Sequence, residues 1–212
     1  MYAFQAVPGG YAAELEPAER TIISRVVADT SELLGVPIDQ PSADDQPSAD
    51  DQPPADDAAA LAALAWQPAD SSPPRDPALA RLLPPASDDE ELAAELRTLT
   101  EGSLRATKAE QLAVVHRGLT APSRFVVVRE GTERSWLAAL TDVRLVLATR
   151  LGIENDEDAE RIYARAGGEE SQGEEPQSEE AELESALTSL YAALTWWQES
   201  LLEAMSQPAA EQ

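Results

Sequence analysis

Over most of its length the chain places apolar residues every three or four positions, the spacing of one helix face. Ile22, Ile23, Val26, Val27, Thr30, Leu33 and Leu34 follow this period. Glu16-Pro17 opens their helix with proline at the first helical position, where its missing N–H costs nothing, and Gly35 to Pro37 closes it. In DPALARLLP, Asp76 is placed to cap a short helix that has Pro77 in its first turn and Leu79, Leu82 and Leu83 on its apolar side. The following text predicts one long helix through Leu92, Leu96, Leu99, Leu104, Leu112 and Val115 to about Leu119. Ser87 and Glu90 stand in capping-box spacing at its start, and Gly102 is positioned for a kink. Trp136 to Leu151 is apolar nearly all round, which predicts a helix in the centre of a bundle. A short helix from Asn155 to Ala166 follows. The last helix carries Leu183, Leu187, Leu190, Leu194, Trp197 and Leu201 along one seam.

Two stretches break the helical period. FQAVPGGYAAEL, Phe4 to Leu15, reads as a small hairpin about Pro8-Gly9-Gly10, and FVVV, Phe125 to Val128, as a short strand. QPSADDQPSADDQPPADD, Gln40 to Asp57, allows neither a strand nor a buried helix face, because proline recurs in every unit and the paired aspartates repel. AAALAALAW, Ala58 to Trp66, is a candidate helix between two linkers, and GGEESQGEEPQSEE, Gly167 to Glu180, is a second acidic linker. The expected fold is therefore mainly α: a helical bundle with a small β hairpin or sheet and long acidic disordered linkers. Its divisions are 1–38, hairpin and first helix; 39–74, acidic linker; 75–166, helical core; 167–180, linker; and 181–206, a C-terminal helix packing on the core.

Charge narrows the function. The chain has 15 basic and 40 acidic residues, a net −25. The interval 121–153, with five arginines against three acids, is locally positive. Nucleic-acid affinity rests on neutralised phosphates, so this balance disfavours direct DNA contact. No run of apolar residues is long enough for a membrane span and the first residues lack a basic signal region, so the expected location is cytoplasmic, away from any membrane. There is no cysteine, which excludes disulfides and thiol chemistry. The lone histidine, His116, has no companion at metal spacing and reads as a surface or cap residue. No metal or cofactor is expected, and no nucleophile has a base in view.

The least ordinary feature is the placement of Asp142 and Arg144 inside the central apolar helix. Two residues apart, they lie about 200° round the helix and cannot pair with each other. Buried charges need partners, and Glu95 and Arg97 on the preceding long helix are the expected ones. Arg150, near the helix end, is explained by the helix dipole alone. Trp196 lies off the seam of the last helix and is the candidate for a partner contact.

DPALARLLP, LRTLTEGSLRATK, WLAALTDVRLVLATRLGI and WWQESLL, in this order, resemble the actinobacterial family of AosR-like oxidative-stress regulators, formerly a domain of unknown function. Asp142 and Arg144 correspond to the family's D-x-R; the aspartate repeat lies outside the resemblance and looks like an insertion. The resemblance implies a non-enzymatic regulator of redox homeostasis that works with a protein partner of the transcription machinery. The chain departs from the family in PPAS after RLL, and a thiol switch is closed to it. The alternative is an interaction or adaptor protein linked to Clp proteolysis; an enzyme comes third.

Overall fold

The computed structural model describes residues 1–38, 72–166 and 178–207. The aspartate repeat, the candidate helix Ala58 to Trp66 and nearly all of the second linker lie outside the described residues. Among the described residues the chain runs β1 (Gln5–Val7), β2 (Gly10–Glu14), α1 (Pro17–Leu33), α2 (Pro77–Leu82), α3 (Glu90–Thr120), β3 (Phe125–Arg129), α4 (Glu133–Arg150), α5 (Asp156–Ala166) and α6 (Glu179–Ser206). It is mainly helical, with one small antiparallel sheet in the order β1-β2-β3. The predicted hairpin and the predicted strand are thus parts of the same sheet.

Local chemistry accounts for the helix starts. Glu16 N–H donates to Glu19 Oε2 at 2.9 Å, with Pro17 in the first turn of α1. The Asp76 side chain accepts from Ala78 N and Leu79 N, as expected of a cap. At α3 the expected box is replaced: Asp89 Oδ1 accepts from Leu92 N, while Ser87 Oγ accepts from Asp89 N and so orients the cap from outside the helix. Gly102 does not interrupt α3, which continues unbroken for 31 residues.

One glycine sets the sheet. Gly10 has φ +148, and a Cβ there would lie 2.0 Å from the Val128 carbonyl oxygen, so only glycine lets β3 come this close to β2. Val126 and Val128 then point into the core while Phe125, Val127 and Arg129 point outward.

The core gathers around α4, which packs against α1, α2, α3, α6 and β3. Trp136, Ala139, Leu140, Val143 and Leu147 of this helix are buried. Phe4, just before β1, stacks on Trp197 of α6 with ring centroids 4.7 Å apart, and Trp136 meets both rings edge-on. This aromatic cluster ties the sheet, the central helix and the last helix together. Among the described residues, no helix is long and apolar enough to cross a membrane.

Candidate functional site

Asp142 and Arg144 of α4 do find partners on other elements, and on two different helices. Asp142 is 3% exposed, and its Oδ1 accepts from Lys108 Nζ of α3 at 2.5 Å. Arg144, on the other side, donates from Nη1 to Gln198 Oε1 of α6 at 2.9 Å. Its guanidinium also lies 5.6 Å from the centre of the Tyr191 ring. The Gln198 amide is used at both ends: Nε2 donates to Thr141 Oγ1 at 2.9 Å and to the Leu137 carbonyl at 3.2 Å. The D-x-R spacing therefore works as a two-sided brace, one residue fixing α3 and the other α6 against the central helix.

Glu95 and Arg97 are not the partners. Glu95 is exposed, and Arg97, though buried, donates to Glu101 Oε2 at 3.1 Å along its own helix. Glu101 Oε1 accepts from Arg105 Nε and Nη2, and Arg105 Nη1 reaches the Leu34 carbonyl at the end of α1 at 2.7 Å. This second charged row closes α1 against α3. Arg150 also does more than meet a dipole: it donates to Asp76 Oδ2 at 2.7 Å, so one carboxylate both caps α2 and anchors the end of α4.

Electrostatics separate the two aspartates. Burial pushes the Asp142 carboxyl above the ordinary aspartate range, against the opposing pull of Lys108. Its second oxygen, Oδ2, is buried with no hydrogen-bond partner among the described residues. Asp76 moves the other way, held below the ordinary range by its bond to Arg150 and by the N–H groups of α2. An almost fully enclosed carboxylate gripped by a lysine has no open side for a substrate, so this arrangement fixes helix register. His116 is half-buried late in α3, and among the described residues no group of three or more His, Asp or Glu side chains could hold a metal ion.

Trp196 and Trp197 are neighbours with opposite fates. Trp197 is fully buried in the aromatic cluster; Trp196 is 45% exposed, on the turn that also carries the exposed Glu199. The functional residues missed in the sequence are Lys108, Tyr191 and Gln198. Lys108 is eleven residues, or about three turns, beyond Arg97 on the same face of α3, so helical spacing alone puts it in the same row.

The model of one protein family, described as a domain of unknown function, DUF2017, matches residues 1–205. The chain belongs to the DUF2017 family. The DUF2017 match takes in the hairpin and first helix as well as the blocks carrying Asp142, Arg144 and Trp196. No curated protein and no solved structure matches the chain.

Proposed function

We propose that this DUF2017 chain is a non-enzymatic cytoplasmic regulator of oxidative-stress transcription, of the AosR-like kind, acting through a protein partner of the transcription machinery. The observation that carries the reading is Trp196. In a helix whose other aromatic residues, Tyr191 and Trp197, are buried, one tryptophan keeps 45% of its surface in water. Half-exposed tryptophans supply large apolar area at little conformational cost, which makes them anchors of protein interfaces. The buried polar residues Asp142 and Gln198, with Lys108 and Arg144, support the reading from the other side, since they are engaged in holding helices together. The acidic balance favours a protein over DNA as the contact.

Affinity purification of the full chain from its native cell, with and without oxidant, tests this. Recovery of polymerase or σ subunits, reduced by Trp196→Ala, is the expected result. Recovery of protease components in their place would favour the adaptor reading, and recovery unaffected by Trp196→Ala would remove the surface on which the proposal stands.

A further inference from the structure

Among the described residues, the outer edge of β3 has no strand paired to it. Tyr11 and Ala13 of β2 face β3, so Val126 and Val128 carry the ladder, and alternation turns the N–H and C=O of Phe125, Val127 and Arg129 away from β2. Both ends of this outer edge are closed by the chain itself. Phe125 N–H donates to Ser123 Oγ, and the Arg129 carbonyl accepts from Thr132 N and Thr132 Oγ1. Between those stops, the Phe125 carbonyl, both groups of Val127 and the Arg129 N–H form an open window for one short strand.

A groove of about 400 Å³ runs beside this window, between β3, the last turns of α3 and the start of α4. Phe125 and Val127 stand half-exposed along it, and Gly118 and the edge of Trp136 lie opposite. Gly118 keeps it open and the ring in place: a Cβ there would lie 2.6 Å from the Trp136 ring. The lining includes Arg117 and Arg129 and no acidic side chain, in a chain of net charge −25. Both arginines are exposed, with no ion-pair or hydrogen-bond partner among the described residues.

We infer that this edge and groove dock an extended acidic segment of a protein partner, which adds to β3 as a fourth strand and places its carboxylates against Arg117 and Arg129. The free backbone groups recognise a peptide main chain, which nucleic acid lacks, and the half-exposed apolar side chains fit alternate residues of a strand. A second copy pairing edge to edge through β3 would bring another Arg117 and Arg129 to the same place, so charge complementarity disfavours that pairing and selects an acidic segment. The inference rests on the reading of the chain as a partner-binding protein and assigns a surface separate from Trp196.

The test is a titration of the ¹⁵N-labelled full chain with a capped heptapeptide alternating aspartate and valine, and with the same peptide carrying lysine for aspartate. The expected result is amide shifts centred on Phe125 to Arg129 with the acidic peptide alone, weakened by added salt. Arg117→Glu with Arg129→Glu should lower affinity about tenfold or more, while Arg25→Glu, an exposed charge change on α1, should not. Val127→Pro, which removes an outward N–H and leaves the β2 ladder intact, should abolish binding. Equal binding of the lysine peptide, shifts mapping elsewhere, no shifts at millimolar peptide, or a self-association lost in Val127→Pro would each overturn it. The titration needs no cellular partner, so its failure is distinguishable from failure of the regulator reading.

Discussion

Replacing Lys108 with methionine should destabilise the domain far more at neutral pH than in mild acid. The truncation leaves Asp142, 3% exposed, facing α3 without its ammonium, with its other oxygen already unmatched. Removing one partner of a buried pair costs roughly 3–5 kcal/mol. The Lys108 side chain is 17% exposed, so water can follow it in, and the lower end, about 3 kcal/mol, is expected. Asp142→Leu should cost less, about 1–2 kcal/mol, because the freed ammonium can turn toward solvent. The double variant exchanges an ion pair for an apolar contact, and its cost should fall short of the sum of the singles by about 2 kcal/mol. The pH dependence has a definite sign. Asp142 holds its proton to a higher pH in the folded state than in the unfolded one, so over the interval between its ordinary and its raised value the folded state binds more protons, and this residue's contribution falls as pH rises. Loss of Lys108 moves the folded value higher still. Urea unfolding of the four proteins, followed by tryptophan fluorescence at about pH 7.5 and about pH 5.5, measures both effects. Additive costs, or a Lys108→Met penalty that grows on acidification, would refute the reasoning.

Asp76→Ala should lower stability by about 1–2 kcal/mol in thermal unfolding, since it removes the α2 cap together with the anchor of Arg150. Because its folded value lies below the ordinary one, the Asp76 contribution is present above the ordinary aspartate range and is lost as pH falls through the lowered value, a profile Asp76→Asn should flatten. Gly118→Ala should cost about 1–3 kcal/mol despite alanine's better helix propensity, with a changed near-ultraviolet circular dichroism from Trp136; an unchanged or raised melting temperature would contradict the packing. Peroxide should leave the elution volume and circular dichroism of the purified chain unchanged, because the methionines are Met1 and Met205 and neither makes a sensor; a reversible shift abolished by Met205→Leu would place sensing in α6.

The period of apolar residues located the helices because most of each stripe is at least partly buried, although Leu92, Leu99 and Leu104 of α3 and Leu183 of α6 stay exposed, and α4 was legible as central because its apolar residues go nearly all round. The divergence of Asp142 and Arg144 was equally legible, since angle within a helix follows from residue count. Their partners were not. Arg97 and Lys108 lie about 20° apart round α3 but roughly 16 Å apart along it, and only the packing of α3 on α4 decides which turn meets Asp142. Asp89 rather than Ser87 caps α3 for a related reason. Ser87, Asp88 and Asp89 can all cap, and which one does depends on where the chain enters after Pro85. The edge window of β3 was hidden altogether, because nothing in FVVV tells which side of the strand has a neighbour.

Several helix ends are tied down by an arginine belonging to another helix. Arg105 of α3 closes the carbonyl end of α1, Arg20 of α1 donates to the Ala121 and Arg124 carbonyls just past α3, and Arg81 of α2 reaches the Ile153 carbonyl beyond α4. Each such tie exists only when both helices are already docked. A fragment cut from this chain, such as α3 and α4 without α1, would lose these ties as well as expose its core, so unfolding should run as one cooperative event, with amide exchange at these helix termini slowed to the rate of the interior.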